Sequence, residues 1–568
     1  MNTHRGTLFT TLCLAGLAHL GCGNQAVTTK EPTATPAKVD AATFIRQQTA
    51  LLTPLDKAAS LGWWNASVSG SKADFARSTQ AMDAFNRYLA DPHRFATVVA
   101  LRKTKVTDPL VRRQLDVLYL QMLGKQVAPD ALARITALQN KVEQAFNTYR
   151  AQLDGKRLSD SQIQKILNTS TSSAKVKAAW QAQKAVGAAV APTLIELVEL
   201  RNEVARKLGF RDYYAMRLAE DELDEAKLLA LFDELDRLTR KPFTAAKAEV
   251  DRRLAKRFGI STDALMPWHY QNPFFQEPPN VFKTGLDAVY RKQDTLAVCR
   301  KFYRSIGLKV DAILKRSDLY EKPGKSPHAF TADIDRNGDI RVLANIVPGL
   351  QWQQTMIHEL GHAVYDEYLD PKLPWMLRSA THALTTEGLA MMLDRVVANP
   401  LWAEKLGLID DAARKKAAPE AAAYLAFASL QFSRWTQVML RFERALYADP
   451  HQNLNKLWWD LVEKYQGLER PPGRNAPDYA SKIHLVVSPV YYHSYMLGEL
   501  FAAQVHEAIA KVVGVPPAEL VYVGEPKVGA FLRERLFAPG ARYPWNELVE
   551  RITGKPLSPA AFARRFSH

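Results

Sequence analysis

The 568-residue chain is predicted to be mostly α-helical, on three observations. Apolar residues recur at three-and-four spacing along most of its length, the period of one buried helix face. Leu, Ala, Lys, Arg and Glu, all strong helix formers, are abundant. A strand-like pattern appears only around His328, where two runs flank an Asn-Gly pair. Helical hairpins packed on one another are the expected architecture, and no repeat of fixed period stands out.

Residues 1 to 22 open with Met-Asn-Thr-His-Arg and run apolar from Leu8 to about Leu20. That run is too short to span a membrane and fits a signal peptide. Leu20-Gly21-Cys22 resembles the lipobox of bacterial lipoproteins, with His19 where that pattern prefers Leu, so Cys22 is the expected lipid carrier. The mature chain is then expected to be exported, to the periplasm or the outer surface, and anchored to a membrane. Residues 23 to 40 are rich in Thr, Pro, Ala and Lys, bury little and read as a flexible tether. Residues 41 to 568 read as one domain.

Within it, helices are expected over Ala42 to Leu61, Lys72 to Asp91, Asp108 to Leu123, Pro129 to Leu153, Ser159 to Thr169 and Ser172 to Lys207, with Gly209 as a stop. A helix pair is expected from Asp224 to Phe258, and Met266 to Phe275 reads as an aromatic loop. His328 to Ile334 and Asp339 to Ile346 flank Arg336-Asn337-Gly338 and predict a β-hairpin. Asp333-x-Asp335-x-Asn337-Gly338 begins like a calcium loop, but its twelfth position is Ala344, where a bidentate Glu is needed, so that reading is excluded. A helix follows from about Leu350 to Leu369, stopped before Pro371. Another opens near Glu387, long helical stretches run to about residue 448 and again to Tyr465, and an apolar helix continues from Tyr495 through Val505.

Composition narrows the class. Apolar residues are 47% and charged residues 24%, ordinary for a globular protein. Lys and Arg number 75 against 59 Asp and Glu, a formal charge of +16. The basic residues are scattered rather than bunched, which excludes a nucleic-acid tail and leaves a solvated basic surface as the simplest reading. Of three cysteines, Cys13 and Cys22 lie in the leader and Cys299 stands alone in a helical pattern, so no disulfide framework is expected and Cys299 reads as packed.

The chemistry centres on Thr355-Met356-Ile357-His358-Glu359-Leu360-Gly361-His362. Residues i and i+4 share a helix face, so His358 and His362 can hold one metal ion together, with zinc the usual choice. Glu359 sits where it can reach a metal-bound water as general base. Apolar Ile357, Leu360 and Val364 surround the motif, and Gly361 allows close packing. A third ligand is still required. Asp366, Glu367 and Asp370 lie on the same helix or its end and cannot easily curl back. His382 and Glu387 are the next candidates, and Glu387 lies 25 residues past His362, enough for a turn and an antiparallel return. Two His and one Glu would leave a fourth position open.

With Leu377-Arg378 to Glu387-Gly388 following the metal motif, the chain resembles the angiotensin-converting-enzyme family of zinc peptidyl-dipeptidases. Asn202 to Phe210, His328-Ala329, Lys482-x-His484 and Tyr492-x-x-Tyr495 carry the same resemblance, which covers most of residues 40 to 510. Tyr491 to Tyr495 is also similar to a segment of the related thimet-type oligopeptidases. The resemblance implies a large helical ellipsoid with zinc deep in a central cleft, lined by a small strand pair. It implies zinc, one per chain, on His358, His362 and Glu387, and Glu359 moving a proton from the zinc water to the leaving amine. Tyr495 and His484 would donate to the developing oxyanion, Lys482 and Tyr492 would grip a peptide C-terminal carboxylate, and His328 and Ala329 would hold the substrate backbone. The implied function is hydrolysis of short peptides, releasing C-terminal dipeptides, by a monomer with no nucleic-acid partner. An endo-acting oligopeptidase and a non-catalytic peptide binder of the same fold are the alternatives.

Departures from the family pattern are specific. Four residues past Glu387 the family has an Asp that supports a zinc ligand, and here Met391 stands there; Asp394 or Asp366 is the expected replacement. Ser494 stands where the family has a chloride-binding Arg. One extra residue separates Lys482-x-His484 from Tyr492-x-x-Tyr495. The family's carboxylate-binding Gln has no clean match, Gln271 being the nearest.

Overall fold

A computed structural model describes residues 40–567, so the leader, Cys22 and the tether to residue 39 lie outside the described part. Among the described residues helices dominate, and strands form just two antiparallel pairs. The mostly-α expectation holds for a plain physical reason. Most segments bury one stripe, and their ends are capped as helix ends should be. Asp40, Ser71, Asp91, Asp108, Ser159 and Asp224 each accept a backbone N–H of the first turn that follows them.

Three expectations need correction. The helix from Pro129 ends at Thr148, and Ala151–Leu153 (β1) pairs with Lys156–Leu158 (β2). The signal was present in Asp154-Gly155, whose φ values of 51° and 71° make the tight turn that Asp-Gly favours. The stretch from Ser172 is two helices, Ser173–Lys184 and Val186–Lys207. Conversely, the pair expected from Asp224 is one 34-residue helix, Glu225–Phe258, with Pro242 inside it. Its buried stripe of Phe232, Leu235, Phe243, Val250 and Leu254 continues on both sides of the proline, so packing outweighs the lost hydrogen bond.

The hairpin near His328 is present as Phe330–Asp333 (β3) and Ile340–Leu343 (β4), with Thr331 opposite Val342 and Asp333 opposite Ile340. The turn is longer than a two-residue Asn-Gly loop, because Ile334 N–H still reaches Asp339 O at 3.0 Å. Asp333 and Asp335 side chains accept backbone N–H groups of their own turn, so these carboxylates organise the loop and not a cation.

The metal-motif helix is Leu350–Glu367. Met356, Ile357, Leu360, Ala363, Val364 and Tyr365 are all fully buried in the main core, which explains a helix apolar on several sides. Two smaller apolar clusters flank that core: one under the first four helices and one joining Trp64 to Ile334 and Leu343 of the hairpin region. No helix among the described residues is long and apolar enough to cross a membrane.

Candidate active site

Three helices build the site. The metal-motif helix packs on the return helix Ala383–Arg395, which packs on Tyr492–Val513. Glycines allow the approach. A Cβ on Gly361 would sit 3.1 Å from Ala390 Cα, and one on Gly388 would sit 2.7 Å from Gly498 O. Any side chain at Gly388 would push the return helix away from the Tyr492–Val513 helix and shift Glu387 with it.

The return helix brings Glu387 to the histidine pair. His358 Nε2 and His362 Nε2 are 3.1 Å apart. Glu387 Oε2 lies 3.6 Å from the first and 3.9 Å from the second. All three residues are buried, and among the described residues they form the group that could hold a metal ion. The dimensions fit zinc: bonds of about 2.1 Å in a tetrahedron put ligand atoms roughly 3.4 Å apart.

The outer nitrogens are also held. Asp394 Oδ2 lies 2.7 Å from His358 Nδ1, and Thr386 Oγ1 lies 2.6 Å from His362 Nδ1. With each Nδ1–H donating outward, each Nε2 lone pair faces the shared centre. Of the two expected replacements for the family's Asp, Asp394 does the job. Asp366 does not; burial, with the Asp333 charge adding to it and Arg336 opposing, raises its carboxyl well above the usual range. Asp394 lies seven residues past Glu387, two turns along the same face, which is the signal that made it a candidate. Burial opposes charge on His358, but Asp394 and Glu387 outweigh it and raise its pKa to about 10 in the metal-free protein. Burial lowers that of His362 to about 4. Glu359 is fully buried, and burial raises its carboxyl to about 7.

A cavity of about 260 Å³ opens beside this centre. That is near the small end of ligand pockets, suited to a short chain and not to a folded one. His358, Glu387, Met391 and Asp394 form one part of its wall, and Gln276, Tyr492 and Tyr495 another. Burial lowers the pKa of His484 far below its usual range, with the Lys482 charge adding to the effect, so its imidazole is neutral and can donate without carrying charge. Burial likewise raises that of Tyr495, which keeps its phenol proton. The rings of His484 and Tyr495 lie 5.1 Å and 5.6 Å from that of Tyr492.

Lys482 and Tyr492 converge on a residue that sequence reasoning missed. Gln276 Oε1 accepts from Lys482 Nζ at 2.7 Å and from Tyr492 OH at 3.3 Å. The expectation of Gln271 is therefore corrected: its amide bonds Asn168 O and Asn280 N–H and is turned into the aromatic loop. Nothing local distinguishes the two glutamines, which lie five residues apart. Lys482 is 6% exposed, with Phe274, Trp435 and Tyr492 rings about its ammonium at 5.2 to 5.4 Å. Burial pushes its pKa down to about 7.

Between the two motifs the chain makes a sharp turn at Val490. Val490 is fully buried with φ of 57°, a left-handed conformation that is costly for a β-branched residue. Its N–H donates to Glu443 Oε1 at 2.8 Å, so a buried carboxylate holds the turn. Arg201 supports the same loop by donating to Val486 O at 2.7 Å. His328 and Ala329 are not among the residues that wall the cavity. His328 is exposed just before β3 and Ala329 is half-buried. The strand they lead into does reach the motif, since Thr331 Oγ1 lies 2.7 Å from Glu359 O and 3.1 Å from Glu359 Oε2. Cys299 is packed as expected; it accepts from Gln353, and burial pushes its thiol up to about 12.

Comparison with known proteins agrees with this geometry. The peptidase M2 family model, described as angiotensin-converting enzyme, matches residues 36–567. The angiotensin-converting enzyme of Rattus norvegicus is 28% identical over 437 residues, 70% of this chain and 32% of the relative. That of Mesocricetus auratus is 26% identical over 494 residues, 79% of this chain and 36% of the relative. That of Theromyzon tessulatum is 27% identical over 270 residues, 44% of this chain and 42% of the relative. The chain thus spans about a third of the length of the first two.

Proposed function

Because the chain belongs to the angiotensin-converting enzyme family of peptidases, we propose that it is a zinc metallopeptidase that shortens peptides from the C-terminus, releasing dipeptides. One observation carries the reading. A single cavity is walled by the triad residues His358 and Glu387 and also by Gln276 and Tyr492, the pair that meets Lys482. His358, His362 and Glu387 would hold the metal. Zinc bound there would supply a Lewis acid to polarise the scissile carbonyl and acidify the attacking water. Glu359 takes a proton from that water and returns it to the leaving nitrogen. Tyr495 and His484 donate hydrogen bonds to the oxyanion as it develops. Lys482, Tyr492 and Gln276 receive the C-terminal carboxylate, which needs a cation when buried. The backbone of the peptide lies along the extended segment just before β3, at His328 and Ala329, as an added strand would.

The deciding experiment compares matched peptides with free and amidated C-termini and maps the products. Dipeptides from the free series alone are expected. Equal cleavage of amidated peptides would replace this reading with that of an endo-acting, thimet-type oligopeptidase. Binding without any hydrolysis by zinc-loaded protein would replace it with the non-catalytic one. Metal analysis should find about one zinc per chain.

Residues 41 to 568 are read as one peptidase unit, acting as a monomer outside the cytoplasm and held to a bacterial membrane by lipid on Cys22. Release of the Cys22→Ser protein into the soluble fraction is expected; unchanged membrane association would refute the lipid anchor.

A further inference from the structure

β3 carries a hydroxyl that both of its close partners tie to one residue. Thr331 Oγ1 lies 2.7 Å from the backbone oxygen of Glu359 and 3.1 Å from its Oε2. The hydroxyl has one proton to donate, and either acceptor belongs to Glu359. Glu359 Oε1, by contrast, is buried and makes no hydrogen bond. Thr331 is itself a fixed point. It is paired with Val342 in the hairpin register, and its β-branched side chain is stiff about χ1. A glutamate has three side-chain torsions, and its terminal one is broad. A base that must meet a reacting atom within a fraction of an ångström gains from having one oxygen tethered.

We propose that Thr331 is a positioning residue for peptide hydrolysis: it tethers Glu359 Oε2, so that Oε1 is the oxygen that handles the proton. The inference rests on the reading of Glu359 as general base. The proton passes from the attacking water to Oε1 as the new C–O bond forms. It passes from Oε1 to the leaving nitrogen as the C–N bond breaks. Thr331 does not touch the substrate; it acts through Glu359. The segment proposed to receive the peptide backbone at His328 and Ala329 leads directly into the strand that would set the angle of the base.

The test uses full-length, zinc-loaded protein and three variants. Thr331→Val keeps shape and removes the hydroxyl. It should lower kcat about tenfold or more, the scale of one lost hydrogen bond to a charged group, and leave KM and zinc content unchanged. Thr331→Ser should restore most of kcat. Crystal structures of the two variants give a readout independent of turnover: more than one Glu359 carboxylate orientation in the valine variant, and one in the serine variant. Parental kcat in Thr331→Val overturns the proposal. So do equal losses in both variants, a change confined to KM, or loss of zinc. Glu359→Gln separates the two levels. If it still hydrolyses peptides, the base assignment has failed. If it is inactive while Thr331→Val is fully active, the tether alone has failed.

Discussion

The metal end of the cavity draws its residues from two neighbouring helices, whereas the Lys482 end gathers Gln276 and Tyr492 from positions 216 residues apart. His358 and His362 share one helix face, and Glu387 and Asp394 share the face of the next helix. Their geometry follows from helix periodicity and one close crossing at Gly361. At the other end no periodicity links Gln276, Lys482 and Tyr492. They meet because the aromatic loop, the 478–487 segment and the tyrosine helix pack on a common core. The lesson is that the chemistry is assembled locally and tolerates exchange within a helix face, as from the family's position at Met391 to Asp394. The Lys482–Gln276–Tyr492 cluster is assembled globally and depends on the packing contacts between those elements.

The comparison predicts a graded set of effects. The largest belongs to the metal end. Glu359→Gln should retain zinc and lower kcat by roughly 10²- to 10⁴-fold, the range for a lost general base; zinc content and single-turnover rates check it, and a near-normal rate would break the assignment. Asp394→Ala should weaken zinc binding by about 10- to 100-fold, measured by competition with a chelator. An unchanged affinity would mean that His358 does not need its outer partner.

The Lys482 end should act on binding instead. Lys482→Met should raise KM for peptides with a free C-terminus by about 10- to 100-fold, the scale of a charge-assisted hydrogen bond. Amidated peptides should barely respond. Equal effects on both would sever Lys482 from the carboxylate. Gln276→Leu should raise KM by less, up to about tenfold, because it removes a neutral partner. The Gln271→Leu protein tests the corrected assignment, since its KM should not follow.

The smallest effect is one of pH. Burial lowers Lys482 to about 7, so its ammonium is lost as pH rises through that value. KM for free C-termini should climb across this range while that for amidated peptides stays flat. The sign for stability is opposite. Between the folded value near 7 and the ordinary lysine value of 10.5, the unfolded chain binds the extra proton, so this group makes the protein more stable as pH rises. Thermal melts of the parent and of Lys482→Met across that window should converge at high pH.

Much of the metal end was legible in the chain. The spacing of His358 and His362, the neighbouring Glu359 and the return to Glu387 are short-range patterns. The mostly helical class was legible for the same reason. Failures occurred where one local signal was overruled or ignored. Pro242 suggested a break, but a continuous apolar stripe kept Glu225–Phe258 whole. Asp154-Gly155 marked a hairpin that the surrounding helical pattern obscured. Gln271 is the nearest match to the family's Gln, and Gln276 goes unnoticed because sequence proximity to the aromatic loop cannot say which side chain turns toward Lys482.

By itself, then, the sequence determined which helix carries the histidine pair and which glutamate stands beside it, because a 3.6-residue period fixes the face on which a side chain emerges. Tertiary structure alone decided that Asp394 and not Asp366 orients His358, that Gln276 meets Lys482, that Glu443 holds the strained turn at Val490, and that Thr331 touches Glu359. Each of those contacts joins separate elements, and their approach is set by close packing over the whole core, which no local period encodes.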